Sequence, residues 1–389
     1  SPIQLKGVSG KVHTITFDPS GDHIIAGTSD GTMLVWSMND PLQSPKQFSG
    51  HTASVLSTSV SPDGQHIASG SLDSTIRLWN LSDSTSSPLI LQAHQKGATT
   101  LAFRPDGKEL ASGSQDHTIR LWDLTREEPQ PVTLGTHAGR VNALAYTPDG
   151  KTLISGGDDL ALRVWDIQRK DSPPKILKGH RQSITTVTIH PSGWMVATGS
   201  RDRQIGLWNL RQSLTPPTFL SGSKGRVSHI QFSTDGASLA SVSSDKSLRV
   251  WNWQEPKQPP IQFPGHKGTL EAMAISPDGR TIAVGGSGQS VTLWTGTEQL
   301  AHTVCDTARE NLSFLEWKKM VGENIPYERT CPNLPLHPTF LEEGKELARQ
   351  GAHKKARAIF ERAKQLDPYL KIDLDTELKK LSATLFKEE

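Results

Sequence analysis

Only two cysteines, Cys305 and Cys331, occur in 389 residues. That excludes a disulfide-stapled scaffold and fits a reducing compartment, so the cytoplasm is the expected location. No apolar run reaches membrane-spanning length and no signal peptide is recognisable, so no membrane role is expected. A net charge of +2 is small for this length and gives nucleic acid no footing as the main partner. Neither H-E-x-x-H nor a clustered Cys/His spacing appears, so no metal and no cofactor is expected. The chain opens at Ser1, inside a repeat, which reads as a piece of a longer protein.

What the chain does have is a period. Trp36, Trp79, Trp122, Trp165, Trp208, Trp251 and Trp294 each lie 43 residues after the last. A fixed period in the low forties is the mark of a β-propeller blade. Each unit carries a hairpin turn, from Pro19-Ser20-Gly21 through Pro62-Asp63-Gly64 to Pro277-Asp278-Gly279. Proline and glycine pre-set the dihedrals such turns need. The strand ending in tryptophan has apolar columns, with arginine recurring opposite at Arg77, Arg120, Arg163 and Arg249. Those guanidiniums are expected to lay their stems on the adjacent blade and hold their heads in water. Gln4-Leu5-Lys6-Gly7 aligns with the outer strand Ile176-Leu177-Lys178-Gly179. The seventh unit has no outer strand of its own, so the N-terminal strand should complete it and leave no free edge. The fold class expected is all-β, a seven-bladed propeller, with a small all-α C-terminal extension.

A serine-histidine-aspartate set accompanies four of the tryptophans. His51, Ser69 and Asp73 go with Trp79; His94, Ser112 and Asp116 go with Trp122. His137, Ser155 and Asp159 go with Trp165; His180, Thr198 and Asp202 go with Trp208. A hydrolase needs one such set beside an oxyanion hole, not four equivalent copies, so no catalytic residue is assigned. Gly27-Thr28-Ser29-Asp30-Gly31 spells G-x-S-x-G but lies between two strands, not in a strand-to-helix elbow. Gly150-Lys151-Thr152 ends like a phosphate-binding loop without its first glycine or a following helix.

Gly50-His51, Gly179-His180 and Gly265-His266, with the turn aspartate and a terminal Trp-Asp or Trp-Asn, resemble the WD40-repeat family over three quarters of the chain. The resemblance implies that the four sets are buried hydrogen-bonded tetrads. Ser223 replaces histidine in one unit, Val284 and Gly288 replace serine and aspartate in the last, and Val8 and Ala26 depart in the first. The closing seam is therefore expected to be the least hydrogen-bonded part of the ring. The resemblance also places partner contacts at the start of the inner strand and before the turn aspartate. Among these positions are Lys11, His13, Leu56, Leu72, Gln115, Arg140, Asn142, Asp158, Arg201, Arg226 and Glu271, with Arg140, Arg201, Arg226 and Lys11 as anchors. Trp194 stands in a column that is mostly polar elsewhere and is a further contact candidate.

The pattern changes after the propeller, expected over residues 1–296. Residues 297–335 read as a connecting segment, with a helical stripe at Leu300, Val304, Ala308 and Leu312, a capping box at Ser313 and a Pro-rich run from Ile325. Its wording, Pro326-Tyr327 followed by Thr330-Cys331-Pro332, resembles the segment trailing propellers in large bacterial signalling proteins, among them STAND-type NTPases and caspase-like peptidases. Residues 336–389 resemble one tetratricopeptide (TPR) repeat through Phe340, Gly344, Leu347, Ala356, Phe360, Ala363 and Pro368, followed by a helix with Leu374, Leu378, Leu381 and Leu385.

These readings lead to a non-catalytic recognition module for a protein or peptide ligand. By resemblance it is the sensor end of a bacterial signalling protein, fused to or working with an upstream NTPase or protease domain. The alternative is a stand-alone scaffold bridging two proteins through the propeller and the TPR-like helices. An enzyme with a central-channel site has only His13 and Glu271 to draw on.

Overall fold

The computed structural model describes residues 2–212, 215–263, 266, 268–295, 338–350 and 352–366. The chain separates into two compact units, Ser1–Thr295 and Gly296–Glu389. Seven four-stranded antiparallel sheets build the first. Their innermost strands are Val12–Phe17, Val55–Val60, Ala98–Phe103, Val141–Tyr146, Ile184–Ile189, Val227–Phe232 and Leu270–Ile275, which define blades 1 to 7. Each inner strand lies beside the next, and Leu270–Ile275 lies beside Val12–Phe17, so the ring is closed.

Closure takes the form the alignment of Leu5 with Leu177 predicts. Ile3–Leu5 pairs antiparallel with Val291–Thr295, Ile3 opposite Leu293 and Leu5 opposite Val291, as the outer strand of blade 7. Turn chemistry holds as well. The seven hairpin glycines, Gly21 through Gly279, all have φ between 66° and 80°, the left-handed region that only glycine enters freely.

The core lies between blades, not within them. Ile25, Met33, Val35 and Phe48 of blade 1 pack on Val55, Ile67, Trp79 and Leu81 of blade 2. Ile119, Leu121 and Leu134 of blade 3 meet Val141, Leu153 and Trp165 of blade 4 in the same way. Each terminal tryptophan thus packs back against the preceding blade. Full burial of one such large apolar side chain contributes about 1.5–3 kcal/mol, so the repeated layers carry the ring. Trp253, which stands where Leu210 and Ile167 stand in other blades, is core, and its indole donates to the Gly236 carbonyl at 2.9 Å.

In the second unit, helices α1 (Pro338–Arg349) and α2 (His353–Leu366) form a hairpin around Ala348, Ala356, Phe360 and Ala363. A Cβ on Gly344 would meet the Phe360 ring at 2.9 Å, so glycine permits this close approach. The expected connecting segment and the leucine-striped terminal helix lie outside the described residues.

The turn after each second strand holds one left-handed residue. Blade 1 uses Gly31, but the others use Ser74, His117, Leu160, Arg203, Lys246 and Gln289, with φ between 52° and 73°. Leucine has no local polar contact to offset that conformation. Leu160→Gly is expected to stabilise the protein by about 0.5–1 kcal/mol, the left-handed penalty less the chain entropy glycine gives up. The check is a higher denaturant midpoint at unchanged slope.

Candidate functional site

The four serine-histidine-aspartate sets have one geometry. In blade 3, the Trp122 indole donates to Ser112 Oγ at 2.9 Å. Ser112 lies 2.8 Å from His94 Nε2, and His94 Nδ1 lies 3.0 Å from Asp116. A carboxylate only accepts, so Nδ1 carries the proton, Nε2 accepts from the hydroxyl, and the hydroxyl accepts from the indole. Every polar group in this buried chain is satisfied. Trp79–Ser69–His51–Asp73, Trp165–Ser155–His137–Asp159 and Trp208–Thr198–His180–Asp202 repeat it. The serine gives its proton to the imidazole and accepts the indole N–H, so its buried hydroxyl ties two strands and a turn together.

The remaining blades improvise. In blade 1, Trp36 donates to the Lys6 carbonyl. In blade 6, where Ser223 replaces histidine, Arg249 is 1% exposed and forks onto Asp245 at 2.7 and 3.1 Å. This corrects the expectation of arginine heads in water. Arg163 likewise turns inward to Asp159 at 2.7 Å, and Arg77 lies over the Trp79 ring. The turn carboxylates and indoles draw the guanidiniums onto the network. Removing the hydroxyl by Ser112→Ala strands the Trp122 indole and His94 Nε2. The expected loss is about 2–6 kcal/mol, from two buried groups at about 1–3 each. Equilibrium urea unfolding reads it directly, with exposed Ser86→Ala as control.

Burial holds the imidazoles of His51, His94, His137 and His180 below their ordinary pKa, against the opposing pull of each aspartate. Burial acts to raise Asp73 and Asp159, but hydrogen bonds, chiefly from Thr75 and His137 respectively, outweigh it and hold both at about 2. For histidine and aspartate alike the folded pKa lies below the unfolded one, so the unfolded chain takes up more protons as pH falls. Stability present at pH 7 is therefore lost on acidification, first through the histidines below 6.5 and then through the aspartates below 3.8. Urea midpoints should fall steadily from pH 7 to pH 5; a flat profile would contradict neutral buried imidazoles.

The second site is the mouth of the central channel. Every inner strand carries a β-bulge at its second residue. The bulged residues are His13, Leu56, Thr99, Asn142, Thr185, Ser228 and Glu271. A bulge takes its residue out of the ladder and re-aims the side chain. All seven line a cavity of about 500 Å³ at the ring axis.

Not all of them are free. The Thr99 and Thr185 hydroxyls donate to the Val141 and Val227 carbonyls of the next blade, and Asn142 Nδ2 donates to the Ile184 carbonyl at 2.9 Å and to Asp158 at 2.8 Å. These three clamp neighbouring blades, a role that spacing along the chain does not reveal. Glu271 gathers Lys11 at 2.8 Å and Arg226 at 2.8 Å, with His13 at 3.7 Å, across blades 6, 7 and 1. Burial opposes its ionisation, but these partners hold it at about 2.

Arg140, Arg201 and Arg226, on consecutive blades, are near enough to feel one another. Burial, with the charges of Arg201 and Arg226, lowers the pKa of Arg140 against the pull of Asp158. Its Nε is buried without a partner among the described residues. Leu72, 41% exposed, adds an apolar patch beside Leu56 on blade 2, and Gln115 stands half-buried on blade 3. Trp194 is not part of this mouth. It lies on a hairpin of blade 5, packed with His190 and Trp253 at 6.1 and 6.4 Å and with Arg211 over its ring. His229, which spacing did not single out, lines the channel with Nδ1 unpartnered among the described residues, and burial lowers its pKa to about 4. Among the described residues no cluster of three metal-ligating side chains occurs.

Seven blades, a strand-swapped closure and the indole–hydroxyl–imidazole–carboxylate chain define a WD40-repeat β-propeller. A family model described as WD domain, G-beta repeat, matches residues 3–37 and 42–80. Another, described as IFT122 first beta-propeller, matches residues 83–313, more than half of the chain, and the chain belongs to that propeller family. No curated protein matches it.

Proposed function

We propose that this propeller is a non-catalytic interaction module that captures an acidic segment of a partner protein at the bulge-lined mouth. The observation that carries the reading is the proximity of Arg140, Arg201 and Arg226 to one another on consecutive blades, with Asp158 near Arg140 and Glu271 paired to Arg226. Guanidiniums held by a rigid scaffold lose little entropy on engaging carboxylates, and arginine is enriched at interface hot spots. The apolar Leu56 and Leu72 lie on blade 2, outside those blades, and suit an apolar side chain of the same segment.

The wording around Pro326-Tyr327 and Cys331 supports a place at the recognition end of a larger bacterial signalling protein, beside an NTPase or protease domain in the cytoplasm. No helix among the described residues is long and apolar enough to cross a membrane. The α1–α2 hairpin, with Gly344 packed on Phe360, supports the TPR-like reading and keeps a two-surface scaffold as the second reading.

Arg140→Glu with Arg201→Glu tests the mouth while leaving the Arg226–Glu271 pair intact. Capture of partner proteins from lysate should fall at least tenfold in a chain whose circular dichroism shows the fold retained. Undiminished capture would move the interface elsewhere.

A further inference from the structure

Blade 7 keeps the tryptophan and the histidine of the buried tetrad and lacks the hydroxyl between them and the carboxylate beyond. Trp294 is 6% exposed, yet its indole nitrogen has no hydrogen-bond partner among the described residues, and neither does Nε2 of His266. The rings stand edge to face with centroids 5.6 Å apart. In blades 2 to 6 the same indole donates to Ser69, Ser112, Ser155, Thr198 or Ser241 at 2.7–2.9 Å. Val284 occupies that position here and Gly288 the aspartate's, and both border a cavity of about 140 Å³ that Gly285 and Leu270 help to line.

The room is far more than one hydroxyl requires. A water takes about 30 Å³ of liquid, whereas a cavity near 150 Å³ admits a benzene-sized solute. Two buried polar atoms without a partner among the described residues cost about 1–3 kcal/mol each, so an oxygen delivered between them is favoured. Among the described residues no Asp, Glu, Lys or Arg lines the cavity, and Gln4, Ser290 and Thr292 add neutral polar atoms to its wall. That lining suits a neutral guest, since an ion buried without a counter-charge is costly. Burial also lowers the His266 pKa to about 4, so at neutral pH the imidazole is uncharged and Nε2 can accept a proton donor.

We propose that the blade 7 seam binds a small neutral hydroxyl compound, its oxygen replacing the missing serine hydroxyl between Trp294 and His266 and its apolar body filling the remaining space. The hydroxyl accepts from the indole and donates to Nε2, the arrangement Ser112 makes in blade 3. The site belongs to the seam, not to the channel mouth, so it stands independently of the interaction reading.

Phenol is the probe and benzene, which fits the volume without the oxygen, is the control. In the ¹⁵N-labelled full chain, the Trp294 indole resonance is assigned by its absence in Trp294→Phe. Phenol should shift that resonance saturably, with benzene at least tenfold weaker. Val284→Thr, near-isosteric and equivalent to Thr198 of blade 5, fills the gap with the protein's own hydroxyl and should weaken phenol at least tenfold. Val284→Ser serves if the threonine variant does not fold. A non-saturating phenol response would overturn the proposal, leaving the cavity to water. So would equal affinity for benzene, or unchanged phenol binding in both hydroxyl variants.

Discussion

The indole N–H at the end of the third strand needs an acceptor inside a buried interblade layer, and blades 2 to 6 are organised around that demand. The tryptophan is there because its area welds one blade to the one before. Its nitrogen would be costly to bury alone, so a small hydroxyl on the neighbouring strand answers it. The hydroxyl needs a proton acceptor, the imidazole supplies one, and the carboxylate fixes the imidazole's tautomer. That carboxylate in turn caps the turn it stands in, Asp116 accepting from the Thr118 and Gln95 backbone nitrogens. Packing, tautomer and turn geometry are one linked requirement.

Most of this was legible along the chain because it recurs. The period, the hairpin glycines and the strand that closes the ring depend on positions 43 residues apart or on short turns, and the structure has them where the pattern put them. What the pattern missed lies between blades. Thr99, Asn142 and Thr185 clamp the next blade's carbonyls, and Glu271 draws on Lys11 and Arg226 from either side. Those contacts arise from ring adjacency, which no spacing rule ranks. Arg249 departs from the solvated pattern for a related reason: with histidine lost at Ser223, Asp245 still required a cation or donor, and the nearest was the arginine four residues on.

The bulge explains how an even scaffold carries an uneven surface. Removing one residue per inner strand from the ladder frees that side chain from the alternation of faces. The ladder continues on either side in every blade, while the freed position ranges from leucine to glutamate. Strand register and mouth chemistry are thus specified by different residues, and His13, Leu56 and Ser228 can differ without disturbing the pairing around them.

The strand Ile3–Leu5 precedes in the chain every strand of the ring it completes, yet its partner Val291–Thr295 is the last strand of the seventh sheet. The pairing joins segments from opposite ends of the propeller sequence, with six blades between them. Closing so long a loop costs entropy that only the finished ring repays. The ring stays an open arc until its two ends meet. Until then the outer edge of blade 7 is exposed, a vacant strand position that another chain's extended segment could occupy before its own does.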